Sequence, residues 1–228
     1  TVLTISKSYR KHPLVSPSDA SKLGTLSIYL GKPNTPLRQI KPSITGQHWM
    51  SELLWKQFLS TKPPDAKAQA YAGTSNVELL DLDHDGDLDI LVGYFVQANS
   101  HWVTSGVQVL KNDSGVFIDK TLELIPNQPA NRSLSRPTDL LYTATQADLN
   151  NDGKSDLILA LRSLDSMTDR RFSSVFYLFK NGQYVPVKND EKLLGDAQKM
   201  QLIQAGDFNC DGKRDLVGLF AGISDKEN

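Results

Sequence analysis

The sequence predicts a mainly β fold, a propeller-like series of four-stranded antiparallel blades in a partial or incomplete ring, with one amphipathic helix near the N-terminus. Two observations carry that expectation. A nine-residue acidic pattern, D-x-[DN]-x-D-G-x-x-D, occurs three times, at 81–89, 148–156 and 207–215. Each copy is flanked on both sides by short aliphatic and β-branched runs, too short for helices and rich in strand formers. Asp148 lies 67 residues after Asp81 and Asp207 lies 59 after Asp148, as repeats of one unit with variable loops would.

Residues 1–73 stand apart from these repeats. Residues 25–30 (TLSIYL) and 37–40 predict a hairpin across 31–36 that resembles the last two strands of a blade. Trp49, Met50, Leu53, Leu54 and Phe58 recur at helical spacing and predict an amphipathic helix near 47–60, its apolar stripe packed on the body of the protein. Lys62-Pro63-Pro64-Asp65 ends that helix and links it to the repeats.

The repeats span 74–228, divided at about 74–138, 139–197 and 198–228, the last incomplete. Strands precede the acidic loops at 76–82, 142–149 and 200–208 and follow them at 88–95, 155–161 and 214–220. Two repeats continue with a second pair of strands, 106–110 with 116–120 and 174–179 with 184–187. The connectors KNDSG and KNGQ carry the Asn/Asp/Gly chemistry of tight hairpins. Each complete repeat therefore reads as a four-stranded meander, the form of a propeller blade. Two complete blades, one that stops near residue 221 and an N-terminal partial blade do not close a ring of four to eight. The expectation is a truncated or incompletely represented propeller; the alternative has the 25–40 hairpin completing the blade begun at Met200.

The acidic loops carry the chemistry. Calcium takes about six to eight oxygens at about 2.3–2.6 Å, and carboxylates at alternate positions of a tight loop point at one centre. Positions 1, 3, 5 and 9 supply side chains and position 7 a backbone carbonyl. Those residues are Asp81, Asp83, Asp85 and Asp89 with the carbonyl of Asp87; Asp148, Asn150, Asp152 and Asp156 with that of Lys154; and Asp207, Asn209, Asp211 and Asp215 with that of Lys213. Up to three calcium ions are expected, one per loop. Gly86, Gly153 and Gly212 take the sharp bend. Position 12, a bidentate Glu in an EF-hand, is Val92, Leu159 or Gly218 here, so the loops are not EF-hands. They hold no Cys/His set suited to zinc, and magnesium prefers retained waters.

Five aspartates within 81–89 repel one another without a cation, and 11 of the chain's 26 acidic residues sit in the three loops. Asn at position 3 and the neighbours Lys154, Lys213 and Arg214 predict weaker binding at the second and third loops. His84 lies between ligands and is expected to point outward. The calcium role is expected to be that of a structural staple. A site of about 10⁻⁴–10⁻³ M facing about 1 mM calcium contributes roughly 0.4–1.4 kcal/mol.

These loops with their flanking strands resemble the FG-GAP/VCBS repeat family of integrin-like propellers, in which each such loop joins the first two strands of a blade and binds calcium. The resemblance covers about 76–220 and not 1–73. It implies a calcium-stabilised interaction module that binds another protein; the alternative is a carbohydrate-binding or polysaccharide-degrading protein, since such repeats also occur there. Loops that fill only where calcium is plentiful point to an extracellular, periplasmic or cell-surface location.

Composition narrows the function further. At 39% hydrophobic and 22% charged the chain has a folded, soluble composition, and its net charge of −1 gives no field for nucleic acid. No apolar run approaches the roughly 20 residues of a membrane span. Cys210 is the one cysteine, so no intrachain disulfide forms. A start at Thr1 is read as a processed product or an excised fragment. His12, His48, His84, His101, Cys210 and the serines fit no nucleophile elbow, metalloprotease or nucleotide-binding motif, so the reading is non-enzymatic. Carboxylates converging across blades are the remaining route to acid–base catalysis. His101-Trp102 is expected in a loop between strands, with Trp102 half-buried.

Overall fold

A computed structural model describes residues 2–6, 12–13, 25–30, 36, 38–40, 43–45, 69–98, 101–126, 139–163, 172–187 and 200–220. Strands β1 (Val2–Ser6), β3 (Thr25–Leu30) and β4 (Arg38–Ile40) form an antiparallel sheet in the order β1-β3-β4. The short β2 (His12–Pro13) and β5 (Ser43–Thr45) instead join the two edges of the next sheet. That sheet holds β6 (Gln69–Leu80), β7 (Asp89–Ala98), β8 (His101–Asp113) and β9 (Val116–Asp119), in the order β2-β6-β7-β8-β9-β5. All its pairings are antiparallel except β5 with β9, which covers the edge that β9 would otherwise leave open.

The second repeat forms a four-stranded meander of β10 (Asp139–Ala147), β11 (Asp156–Ser163), β12 (Phe172–Lys180) and β13 (Gln183–Pro186). The third gives β14 (Met200–Gly206) and β15 (Asp215–Phe220), which pair with each other. The meanders expected for the first two repeats are thus present. Their hairpins turn on Ser114-Gly115 and Asn181-Gly182, all four at positive φ (53°, 92°, 52° and 80°), the geometry that matches strand twist.

The amphipathic helix expected near 47–60 lies outside the described residues. Other expectations are corrected. The helix that is described is a single turn, α1 (Thr121–Leu124), directly after β9, where a strand running to Lys120 was expected. Asp119 accepts the Thr121 N–H and hydroxyl there, drawing the chain out of the sheet. His101 and Trp102 are in β8, opposite Ala98 and Gln97, and not in a loop. The 25–40 hairpin exists, but β1 occupies the second edge of β3, so it does not complete the sheet begun by β14.

The first two repeats share a register. In the first repeat Ile90, next after Asp89, faces Leu110, and Leu110 faces Asp119. Leu157, next after Asp156, Tyr177 and Pro186 are aligned in the same way in the second. The strand entering each acidic loop also carries an irregularity at a matching place, between Thr74 and Val77, Leu141 and Thr143, and Met200 and Leu202.

Sheets of successive repeats pack face to face. Leu82, Leu91, Val107 and Val109 of the first meet Leu157, Leu159, Leu161 and Tyr177 of the second, and Leu124 of α1 and Ile125 just after it fill the same core. Ala147, Ile158 and Phe176 of the second meet Ile203 of the third, with Ala205 and Leu216 beside them. Both faces of β7 and β11 are buried, which explains their unbroken apolar runs. Leu91 and Ile158, each two residues past the loop's last aspartate, face the following sheet, while Leu157, Leu159 and Leu216 face the preceding one. Gly93 lets β10 come close, for a Cβ there would lie 2.7 Å from Leu141 Cβ and closer still to Ser75 Oγ.

Candidate metal centre

Each acidic loop is wound by its own backbone donors onto its own carboxylates. The position-1 aspartate accepts the N–H groups of positions 5 and 6: Asp81 from Asp85 and Gly86 at 3.1 and 3.2 Å, Asp148 from Asp152 and Gly153 at 3.1 and 2.8 Å, and Asp207 from Asp211 and Gly212 at 3.0 and 2.9 Å. The position-5 aspartate then accepts the N–H of position 7 in all three loops. Two left-handed residues make this possible: His84, Asn151 and Cys210 at φ 64°, 58° and 61°, and Gly86, Gly153 and Gly212 at φ 95°, 85° and 84°. Asn and His adopt the first conformation more readily than most residues; Cys does so at some cost.

Position 9 ties the loop to the sheet. Asp89, fully buried, accepts the Leu82 N–H on one oxygen and the Asn112 N–H of β8 on the other, both at 2.8 Å. Asp156 repeats the arrangement with Leu149 and with Phe179 of β12, again at 2.8 Å. Asp215 accepts the Phe208 N–H at 3.0 Å and is half-buried. Burial pushes the Asp89 carboxyl up to about 6 against the lowering effect of its two N–H donors, and burial raises Asp156 in the same way.

Position 3 separates the loops. Asn150 and Asn209 accept the N–H of Asp152 and Asp211 and return an amide hydrogen to the same carboxylates, at 2.9 and 3.1 Å. Asp83 has no hydrogen to return. Its Oδ1 and that of Asp87 are buried without a hydrogen-bond partner. Asp83, Asp81 and Asp89 each turn one oxygen toward a common point, all within 4.8 Å of one another. Among the described residues no carboxylate triad of that closeness forms in the other two loops. An all-oxygen donor set with orphaned buried oxygens fits a hard cation. Asp85 and Asp87 lie outside the triad. Burial, then the charges of Asp85 and Asp83, raises the Asp87 carboxyl, while the Asp87 N–H and then Lys111 hold Asp85 below the usual range.

Residues from other strands complete the first loop. Lys111 of β8 forms ion pairs with Asp83 and, at 3.0 Å, with Asp85. Gln146 of β10 donates to the Asp81 carbonyl at 2.7 Å and to the Tyr184 hydroxyl at 3.1 Å. The His84 ring does not point outward as expected: it stands edge-on to Phe179 of β12 with centroids 4.3 Å apart, because the second sheet closes over the loop. Phe179 also meets Tyr184 edge-on at 5.0 Å and carries the Lys154 ammonium 5.4 Å from its centroid. Lys111, Gln146 and Phe179 were not singled out from sequence; the one sequence signal is the place of Lys111 beside Asn112, just before the β8–β9 turn. Cys210 is a free, exposed thiol at a position that offers no ligand.

Residues 148–218 match the family model of the FG-GAP-like repeat, a stretch that runs from the second acidic loop through the third and into β15. The resemblance drawn from the loops is therefore borne out over that stretch. No curated protein and no solved structure matches the chain. Among the described residues no helix is long and apolar enough to cross a membrane.

Proposed function

We propose that this chain is a calcium-stapled, propeller-type repeat module that binds another protein in a calcium-rich compartment: outside the cell, in the periplasm or on the cell surface. The observation that carries it is the oxygen cluster of the first loop, where Asp81, Asp83 and Asp89 converge and Asp83 Oδ1 is buried without a partner. Carbonyl or side-chain oxygens at positions 5 and 7 complete such a set, and the other two loops repeat the winding with one carboxylate replaced by Asn. The FG-GAP-like match supports the calcium reading and an interaction or adhesion role.

Calcium in this reading does no chemistry. It neutralises the loop between two strands and offsets the repulsion among its aspartates, so that position 9 holds the sheet together. The register shared by the first two repeats, with the sheets of successive repeats packed face to face, supports a propeller-type arrangement. A protein partner is favoured over a glycan by the surface of β14 and β15. Val217 and Leu219, two apart on one face of β15, are 51 and 62% exposed and Phe208 in the loop between the strands is 60% exposed, and exposed apolar side chains of that kind suit a protein. Calorimetric titration of calcium into the chelator-stripped chain tests the reading. About three equivalents are expected, one lost with each of Asp85→Ala, Asp152→Ala and Asp211→Ala; no heat of binding would overturn it.

A further inference from the structure

We propose that Lys111 is a tethered counter-cation of the first acidic loop, holding its carboxylates together when calcium is absent and competing with calcium for them. The ammonium of Lys111 bridges Asp83 and Asp85, the aspartates at positions 3 and 5. The pair is not a surface contact: the Asp83 side chain is 15% exposed and that of Lys111 27%. Partial burial strengthens such a bridge beyond that of exposed ion pairs.

Its position in the fold is specific. Asn112, whose N–H is held by Asp89, directly follows Lys111 in β8; Phe179, whose N–H is held by Asp156, directly follows Leu178 in β12. At the place before the clamped N–H, the first repeat therefore carries an ammonium that reaches its loop, and the second carries the uncharged Leu178. The first loop is also the one with Asp rather than Asn at position 3. In the second and third loops the amide of Asn150 or Asn209 hydrogen-bonds the position-5 carboxylate, so those loops are closed internally. In the first that closure comes from Lys111. Lys111 holds Asp83 Oδ2 and leaves the orphaned Asp83 Oδ1 open to calcium, so the ammonium competes through its charge beside the site, and the most acidic loop binds less tightly than its own charge alone dictates.

The inference rests on the calcium reading of this loop, and the test separates the two. The full chain carrying Asp152→Ala and Asp211→Ala is stripped with chelator and titrated with calcium by calorimetry. Lys111→Met and Lys111→Gln in that background are expected to tighten binding about 3- to 10-fold, the equivalent of releasing one or two partly exposed ion pairs. In chelator both variants melt lower than the parent; in saturating calcium that deficit disappears. Lys111→Arg keeps the charge and restores parental behaviour. Unchanged or weaker calcium binding in both neutral variants, or a melting deficit that persists unchanged in calcium, overturns the role of Lys111 while leaving the calcium reading intact. Absence of calcium binding in the parent and all variants overturns both.

Discussion

In the first acidic loop Asp89 is buried and each of its oxygens holds a backbone N–H, one from the loop and one from β8; in the third, Asp215 is half-buried and holds only that of Phe208 among the described residues. Inside, the two loops are wound by the same hydrogen bonds and the same pair of left-handed residues. Outside, the first is walled by Lys111, Gln146 and Phe179, whereas Phe208 within the third is exposed, as are Val217 and Leu219 of the strand that follows. Nine local residues suffice to wind the loop. A third strand and a following sheet are what bury its last carboxylate and fix its oxygens.

Removing the clamp breaks this contrast most strongly. Asp89→Asn turns an amide N–H₂ toward one of two buried donors and leaves it unpaired, so a loss of about 2–4 kcal/mol is expected in urea unfolding with chelator present. Asp215→Asn, next to solvent, costs less than about 1 kcal/mol by the same measure. Equal losses would show that the surroundings of the loop do not matter. Gly93→Ala places a methyl 2.7 Å from Leu141 Cβ and wedges the first two sheets apart. About 1–3 kcal/mol is expected from such overpacking.

Phe179→Leu sharpens the contrast by removing one ring shared by two loops. Its edge contacts with His84 and Tyr184 make a loss of about 1–2 kcal/mol the expected result. Amide exchange should quicken at Asp85 and Asp152 and stay unchanged at Asp211; faster exchange at all three would place the effect elsewhere. The smallest effect is on pH. Asp89 titrates at about 6 in the folded protein against an ordinary 3.8, so the fold binds this proton more tightly than the unfolded chain. Its contribution to stability is complete below the ordinary value and is lost as pH rises through about 6. In chelator the protein should therefore melt higher at pH 5 than at pH 7 through this group, and Asp89→Asn should remove that share of the difference.

Loops, strands and hairpins were legible in sequence because each is written within a few neighbouring residues. The Asp-Gly loops carry their own winding, and Ser114-Gly115 and Asn181-Gly182 carry their own turns. What was not legible depends on residues brought from elsewhere. Lys111, Gln146 and Phe179 reach the first loop from β8, β10 and β12, and nothing near 81–89 encodes their approach. His84 was expected to point outward because the second sheet that covers it lies far along the chain. The pairing of β1 with β3 and the parallel pairing of β5 with β9 join segments whose short apolar runs do not specify a partner. The turn α1 escaped because Asp119 and Thr121, two polar residues at the end of a strand pattern, redirect the chain by side-chain hydrogen bonds.

The central claim is that the three loops are metal staples, and its most direct test is a pair of thermal melts, in chelator and in about 1 mM calcium, on the wild-type chain and on the Asp85→Ala/Asp152→Ala/Asp211→Ala triple variant. Three sites of the affinity expected for such loops predict a calcium-dependent rise of about 2 to 15 °C for the wild type and none for the triple variant. Wild-type melts that coincide with and without calcium would contradict the account.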